Sequence, residues 1–350
     1  MRIASQQNNA KAGRAPATHV IIMDGTLSTL APAGQTNAGR TYTILRRMGA
    51  ALSIYYEPGL QWDNWRSVRD VATGKGINRQ IRRAYGWLAS RYRPGDRIYL
   101  FGYSRGAYAV RSLAGVIDLV GLLHADHATH RNIRAAYRHY ERNPRGDTAR
   151  AFSAHHCHAQ TEIEMIGVWD TVKSLGINAP VLWRLSEHLH AFHNHDLSAI
   201  VKHGFHALAH DENRVAFAPV MWECHDDFPG RLEQVWFPGA HGDVGGQLGG
   251  FEAARPLANI PLVWMLGRAM ESGLPLPDDW ETGLETDPLA PARGTWRGHG
   301  RFLMTRKRRV VGADISERFH ESVLLRQARP TQLTSSEQAL FVDHQGDEPS

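Results

Sequence analysis

The chain has 350 residues, of which 42% are hydrophobic and 21% are charged, and its formal net charge is +5. This composition is typical of a soluble globular protein and argues against a largely disordered chain. No run reaches the roughly 18 apolar residues of a membrane-spanning helix, and the amino terminus has no apolar core of the kind that a secretory signal needs. We therefore expect the protein to start in the cytoplasm. The two cysteines, Cys157 and Cys224, are too few for a disulfide framework, and we expect both to be buried apolar residues.

Short apolar runs alternate with segments of helical spacing along the chain. The predicted strands, in chain order, are 19–23, 53–56, 97–101, 164–169 and 232–237. The predicted helices are 77–93, where apolar residues recur at helical spacing up to Pro94-Gly95, and 107–123. This alternation is typical of an α/β protein with a mostly parallel sheet.

The stretch Gly102-Tyr103-Ser104-Arg105-Gly106 lies between a predicted strand and a predicted helix. This context is the one that a nucleophile elbow requires, because a tight turn exposes the serine and small flanking residues leave room around it. We interpret Ser104 as a nucleophile, and a purely structural glycine turn as the alternative. The N–H of Arg105, at the start of the helix, is then the predicted first donor to an oxyanion.

A second oxyanion donor is expected in the loop after an early strand, where Asp24-Gly25-Thr26 follows residues 19–23. We predict that Gly25 supplies it and that Asp24 supports the loop. A strand that ends in Asp-Gly-Thr also occurs in phosphotransfer enzymes with an aspartate nucleophile. Those enzymes need a second aspartate two residues later, where this chain has Thr26, so we do not favour that interpretation.

A serine nucleophile needs a base and an acid, which follow it in the order acid then histidine on this kind of fold. Asp170 ends a predicted strand and is the candidate acid, with helix capping as the alternative role. His241 is the candidate base, because it lies in the glycine-rich loop 238–246. His320 is a rival base. Asp243 either orients His241 or holds the loop through backbone amides, and we favour the second role.

Two other polar clusters carry weaker signals. The run of four basic residues at 306–309 favours a solvated strand or loop edge over a phosphate or headgroup site. The tract His155-His156-Cys157-His158 resembles a metal site, but it has no matching carboxylates, and we predict no metal.

Four ordered motifs together resemble a known family. They are Asp24-Gly25-Thr26, GYSRGAYAVRSLAG at 102–115, GVWDTV at 167–172 and PGAHGDVGG at 238–246. The chain is similar, over about residues 18–326, to the type VI secretion phospholipase-effector family of α/β hydrolases. Met23 before the first motif and Gln247 after the last depart from the usual family pattern.

The resemblance implies an α/β-hydrolase fold, with a mostly parallel sheet and helices on both faces. It implies a serine hydrolase with Ser104 as nucleophile, Asp170 as acid and His241 as base, which needs neither cofactor nor metal. The implied activity is cleavage of the carboxylic esters of phospholipids, of the phospholipase A type. The alternatives are a soluble carboxylesterase or thioesterase and a non-catalytic binding module linked to secretion.

The implied biology is that of an antibacterial effector, held in the bacterial cytoplasm and then secreted into a target cell without a signal peptide. Its expected partners are a phospholipid or ester substrate, a membrane surface, a component of the secretion machine and an immunity protein, but no nucleic acid.

The predicted organisation is a single catalytic domain at 18–330 between a flexible amino terminus at 1–17 and a polar tail at 331–350. Residues 177–200 form either a lid or an ordinary packed helix, and residues 275–296 form a long surface loop.

Overall fold

The fold is built on one seven-stranded parallel sheet. The computed structural model describes residues 14–31, 34–59, 75–172, 197–225, 228–297 and 305–327. The strands lie in the order β2-β1-β3-β4-β5-β6-β7, and every neighbouring pair is parallel. Their bounds are β1 Thr18–Met23, β2 Leu52–Glu57, β3 Arg97–Tyr103, β4 Ile163–Trp169, β5 Val201–Ala209, β6 Arg231–Phe237 and β7 Glu317–Phe319.

Helices cover both faces of this sheet. Within the described residues, the α-helices are α1 Asn37–Leu45, α2 Lys75–Ala89, α3 Arg105–Leu119, α4 His130–Arg142, α5 Asp147–His156, α6 His241–Val244, α7 Arg255–Glu271 and α8 Glu321–Gln327. Side chains of α2, α3 and α4 form one large apolar cluster, and side chains of α1 and α7 form the other. None of the described helices is both long and apolar enough to span a membrane.

Each central strand contributes to both clusters, because successive side chains of a strand point to opposite faces. Ile21 of β1 and Leu100 of β3 pack into the first cluster, whereas Ile22 and Phe101 pack into the second. A strand buried on both faces reads as a continuous apolar run, which explains why β1 and β3 show no polar alternation. The predicted α/β-hydrolase fold class, with helices on both faces, is confirmed.

The strand order reverses between β1 and β3, since the chain runs from β1 outward to β2 and then returns to the other side of β1. Open parallel sheets bind ligands outside the carboxyl ends of the strands at such a reversal. Asp24 follows β1 and Ser104 follows β3, so the topology brings the first two predicted loops to the same crevice.

The predicted elements are present, with shifted ends. Helix α3 begins at Arg105 rather than at 107, because the elbow leads directly into the helix, and helix α2 ends at Ala89 rather than at 93. The prediction that both cysteines are buried is wrong for Cys224, which is half-buried, whereas Cys157 is buried and both are free thiols.

Other predicted segments are only partly described. Residues 275–296 have neither helix nor strand, but Trp280, Leu284 and Ala290 are buried in the second cluster and anchor this loop. Most of the segment interpreted as a lid, 177–196, lies outside the described residues, as do 1–13 and the tail at 331–350.

Candidate active site

Ser104 lies on a strained turn between β3 and α3. Its backbone has φ 57° and ψ −120°, a conformation that a residue with a side chain rarely adopts. The turn fits because its two glycines have no side chain. A Cβ on Gly102 would lie 2.6 Å from the Ala107 main chain, and a Cβ on Gly106 would lie 2.1 Å from the carbonyl oxygen of Met23. The sharp turn is the geometry of a nucleophile elbow.

A chain of hydrogen bonds links Ser104 to two other predicted site residues. The Oγ of Ser104 lies 3.0 Å from Nε2 of His241, and Nδ1 of His241 lies 2.6 Å from Oδ2 of Asp170. All three residues are buried, with 7% or less of each exposed. His241 follows β6 and Asp170 follows β4, so loops after three parallel strands meet at one edge of the sheet.

Two aromatic rings pack against the His241 ring. The ring stacks on Tyr103 with centroids 5.0 Å apart, and Phe217 packs on it at 4.7 Å. The main-chain N–H of His241 donates to the buried carboxylate of Glu212, which forms a bidentate ion pair with Arg214. Ring and main chain are therefore both positioned by groups that the sequence did not single out.

The Tyr103 ring also explains two glycines in the sequence motifs. A Cβ on Gly245 would lie 1.9 Å from the ring, and a Cβ on Gly25 would lie 2.5 Å from it. The ring thus lies between the loop after β1 and the loop after β6. An alanine at either position could not be accommodated without moving Tyr103 and the His241 ring stacked on it.

Arg309 makes a bidentate ion pair with Asp170. Its Nη1 and Nη2 lie 2.5 and 2.9 Å from the two carboxylate oxygens, and the guanidinium also donates to the carbonyl oxygens of Ala209 and Phe217. Burial alone raises the pKa of the Asp170 carboxyl. The charge of Arg309 and the hydrogen bonds from His241 and Arg309 outweigh that effect and hold this pKa well below its ordinary value.

The interpretation of residues 306–309 as a solvated edge is therefore wrong for Arg309, whose side chain is only 5% exposed. It holds for Lys307 and Arg308, which are exposed. Arg306 donates to Asn213 and stacks on Trp296. The physical reason is that the buried Asp170 carboxylate needs a cation. Residues 305–307 pair with residues 213–215, and this pairing places Arg309, two residues further on, beside Asp170.

His206 accepts a hydrogen bond from the loop that carries Asp170. It is fully buried on β5, and its Nε2 accepts the N–H of Thr171, the residue after Asp170. Burial lowers the pKa of His206 to about 3, and the charge of Arg111 adds to this effect. His206 is therefore neutral at physiological pH and acts as a fixed acceptor rather than as a second base.

The loop after β1 differs from the sequence expectation. The N–H of Gly25 donates to Oδ1 of Asp24 at 2.6 Å, so in this conformation it is not free to donate to an oxyanion. Asp24 is buried, and its carboxylate also accepts hydrogen bonds from Thr36 and Tyr56. Burial raises the pKa of Asp24 to about 6, although these hydrogen bonds oppose the rise.

Arg105 lies where the sequence predicts an oxyanion donor. It is the first residue of α3, and N–H groups in the first turn of a helix have no acceptor within the helix. They point, with the positive end of the helix dipole, toward the Ser104 turn. The Arg105 side chain is buried, and desolvation lowers its pKa to about 10.

The two remaining candidates make other hydrogen bonds than those that join Ser104, His241 and Asp170. Asp243 accepts from the N–H groups of Ala240, Arg293 and Gly294, which are contacts of the loop-holding kind. His320 follows β7, where its Nδ1 bonds the Ser322 side chain at 2.8 Å and its ring stacks on Phe237. The chain from Ser104 to Asp170 includes His241 and not His320.

The histidines around residue 155 pack on one another at the far end of α5. Nδ1 of His156 lies 3.2 Å from Nδ1 of His127, and the ring of His158 packs on that of His124. In the part of the chain that the structure describes, no group of three His, Cys, Asp or Glu residues could hold a metal ion.

A serine on an elbow after a central strand of a parallel sheet, with a histidine and an aspartate from two later strand ends, defines the α/β-hydrolase class. The comparison with family models then identifies the family. Residues 18–268 match the model of the type VI secretion system (T6SS) phospholipase effector Tle1-like catalytic domain, and the chain belongs to this family. Arg293 and Arg309 lie beyond the matched residues.

Three other proteins show similarity to this chain. The chain is 28% identical over 228 residues to the uncharacterized protein YEL023C of Saccharomyces cerevisiae, an overlap of 57% of this chain and 31% of the yeast protein. A crystal structure of an uncharacterized Pseudomonas aeruginosa protein has a TM-score of 0.43 at 16% identity, covering 77% of this chain and 49% of the other. The structure of the Tle1 effector bound to the VgrG spike has a TM-score of 0.32 at 18% identity, covering 70% and 55%. The chain spans about a third to a half of the length of these proteins.

Proposed function

We propose that this protein is a serine ester hydrolase that cleaves carboxylic esters of phospholipids, as an effector of a type VI secretion system. Ser104 is the nucleophile, His241 the base and Asp170 the acid. The observation that carries the proposal is the unbroken chain of hydrogen bonds from Ser104 through His241 to Asp170 on a strained elbow. The phospholipid substrate is proposed from the family to which the chain belongs.

The proposed reaction is acyl transfer in two steps. His241 takes the proton of Ser104 while Oγ forms a bond to the ester carbonyl carbon, and Asp170 stabilises the protonated imidazole. The tetrahedral intermediate then expels the alcohol, which receives the proton from His241. Water, activated by the same histidine, attacks the acyl-enzyme, and the fatty acid leaves as Ser104 recovers its proton.

The N–H of Arg105 is the proposed first donor to the oxyanion, and one such donor is worth about 3–4 kcal/mol of transition-state stabilisation. A second donor from Gly25 requires its N–H to leave the Asp24 carboxylate or to be shared with it. Substrate binding would therefore have to compete with a short intramolecular hydrogen bond.

Secretion from a bacterium into a target cell, a partner in the secretion machine and an immunity protein are parts of the same proposal. They rest on the description of the family.

The decisive experiment measures fatty acid release from vesicles of phosphatidylethanolamine and phosphatidylglycerol by wild type, Ser104→Ala and Ser112→Ala. A soluble short-chain ester is assayed in parallel. Ser112 is a matched control, because it contributes another buried hydroxyl from α3, bonded to the Tyr108 carbonyl. We expect Ser104→Ala to lose at least about a thousandfold in kcat and Ser112→Ala to stay near wild type.

Hydrolysis of the soluble ester alone, with the same dependence on Ser104, would instead indicate a soluble carboxylesterase or thioesterase. Wild-type protein that hydrolyses neither substrate would favour the non-catalytic binding module and overturn the proposal.

A further inference from the structure

An open cleft of about 460 Å³ lies beside helix α6, which carries His241 at its first position. It is lined by residues 248–250, Phe251, Arg293, Trp296 and Arg297. None of the described residues that line it is acidic. The charged groups among these lining residues are thus two guanidinium groups.

The guanidinium of Arg293 lies against glycines of the loop that carries the candidate base. Its Nη1 is 2.8 Å from the place where a Cβ of Gly242 would be, and its Nη2 is 3.3 Å from the corresponding place at Gly249. Gly242 directly follows His241. The cleft therefore borders the residue next to the base, and a side chain on Gly242 would displace the guanidinium.

The backbone of this arginine is anchored, but its charge has no counter-ion within the described part of the chain. The carboxylate of Asp243 accepts hydrogen bonds from the main-chain N–H groups of Arg293 and Gly294. It therefore bonds the main chain of Arg293 and not its guanidinium. Among the described residues, neither Arg293 nor Arg297 makes an ion pair. Two cations that line one cleft, without an ion-pair partner among the described residues, favour an anionic ligand with several oxygen acceptors.

Aromatic rings complete the cleft. The guanidinium of Arg297 lies 4.0 Å from the centroid of Phe251, and that of Arg306 lies 4.1 Å from the centroid of Trp296. Stacking of this kind leaves the N–H edges of a guanidinium directed outward to a ligand. Trp296 is 64% exposed, and in membrane proteins tryptophan is enriched at the level of the lipid headgroups.

We propose that this cleft binds the phosphate of a phospholipid headgroup while the ester of the same lipid is at Ser104. The inference rests on the proposed function and adds a headgroup subsite to it. In a phospholipid, the phosphate and the scissile ester are only a few bonds apart. A phosphate subsite bordering the residue after the base can therefore bind one end of the molecule whose other end reacts.

The test compares two monomeric substrates with the same acyl esters, dihexanoyl phosphatidylglycerol and dihexanoylglycerol, in wild type, Arg293→Gln and Arg297→Gln. The measured quantity is the ratio of their kcat/KM values, phospholipid over neutral ester. We expect this ratio to fall about tenfold or more in Arg293→Gln, as for the loss of a hydrogen bond to a charged group. Arg134→Gln, which changes an exposed arginine of α4, is the matched control and should keep the wild-type ratio.

A ratio that stays at the wild-type value in both Arg293→Gln and Arg297→Gln overturns the proposed headgroup subsite. This holds whether the activities on the phospholipid and on the neutral ester fall together or do not change. This result is distinct from failure of the proposed function, in which wild type and Ser104→Ala have the same low activity on both substrates.

A second measurement separates a headgroup from a free anion. Glycerophosphoglycerol and inorganic phosphate are tested as competitive inhibitors of dihexanoylglycerol hydrolysis. The proposal predicts that glycerophosphoglycerol inhibits at lower concentration and that Arg293→Gln weakens this inhibition. Stronger inhibition by inorganic phosphate would indicate a site for free phosphate and contradict the headgroup assignment.

Discussion

Ser104 and Asp170 have backbone conformations that only glycine adopts easily. Their φ angles are 57° and 42°, and strain of this kind costs about 1–3 kcal/mol per residue. Local contacts offset the cost: the N–H of Ser104 donates to the Trp169 carbonyl, and the N–H of Asp170 donates to the Ala207 carbonyl. The two strained turns are therefore tied to neighbouring strands, which fixes the direction of their side chains.

Arg309 is the residue on which the position and charge of Asp170 depend most directly. Arg309→Met leaves the buried carboxylate without its cation, and loss of one partner of such a pair costs about 3–5 kcal/mol of stability. Misplacement of the acid should also lower kcat/KM, by about a hundredfold. Urea unfolding and the hydrolysis of a soluble ester measure the two effects.

Rescue by lysine separates positioning from a merely structural role. The Asp170 carboxylate is bonded to both Arg309 and His241. Arg309→Lys keeps a cation beside Asp170, so it should recover part of the kcat/KM that Arg309→Met loses. Equal kcat/KM values for Arg309→Lys and Arg309→Met would contradict the assigned role.

At the scale of the elements, helix α3 approaches β1 at a distance that only glycine permits. The place for a Cβ of Gly106 lies 2.1 Å from the Met23 carbonyl oxygen and 2.7 Å from the Asp24 carbonyl oxygen. Both neighbours are main chain, at the end of the central strand β1 and at the residue that follows it, and cannot give way easily. The contact keeps the elbow and the loop after β1 in one crevice.

We expect Gly106→Ala to destabilise the protein by about 3 kcal/mol, at the upper end of the cost of overpacking, and to reduce hydrolysis because the elbow shifts. Gly267→Ala is the matched control. Gly267 lies inside helix α7 with nothing within 4 Å of its Cβ position, so alanine there should stabilise by up to about 1 kcal/mol. Thermal unfolding of both variants tests this pair. Equal changes in stability for Gly106→Ala and Gly267→Ala would show that the close approach of α3 to β1 does not require glycine at position 106.

For the whole molecule, buried carboxylates make stability depend on pH in opposite directions. The pKa of Asp24 is about 6, above its ordinary value near 4, so the folded protein keeps this proton to higher pH than the unfolded chain does. Asp96 behaves in the opposite way. Burial raises its pKa, but hydrogen bonds from Ala17, His19 and Arg93 outweigh burial and lower it.

The free energy of unfolding should therefore fall as Asp24 ionises between about pH 4 and pH 6. The two-unit shift corresponds to roughly 3 kcal/mol, and this loss should be absent from Asp24→Asn. Subtracting the Asp24→Asn unfolding curve from that of wild type isolates the effect. The control, Asp96→Asn, should give a difference of the opposite sign, because Asp96 stabilises the fold above its unfolded pKa and loses that contribution as the pH falls. A wild-type minus Asp24→Asn difference that does not change with pH would contradict the account.

Much of the site could be predicted because its signals are local. The elbow around Ser104 needs only a strand, two glycines and a helix within about twenty residues, and these periodicities are visible in the sequence. Asp170 and His241 each follow an apolar run, and parallel strands bring their carboxyl ends to one edge. For the same reason an α/β protein with a mostly parallel sheet follows from the order of the elements, whereas the α/β-hydrolase fold was implied by the resemblance of the four motifs to a family.

The long-range contacts could not be predicted. Arg309 lies 139 residues after Asp170, in a basic run whose other members are exposed or stacked on aromatic rings, and nothing local marks it as the buried one. The prediction for Gly25 named the loop after β1, but it did not include the hydrogen bond that the Gly25 N–H donates to the Asp24 carboxylate.

The sequence by itself determined the class of fold, the elbow and the candidate acid and base, because strand ends, turns and helix starts depend on neighbours along the chain. Only the tertiary structure decided which arginine neutralises the acid, which rings hold the base and which cations line the cleft beside it. Those choices depend on the burial of charge, and burial is a property of the packed molecule, not of any segment of it.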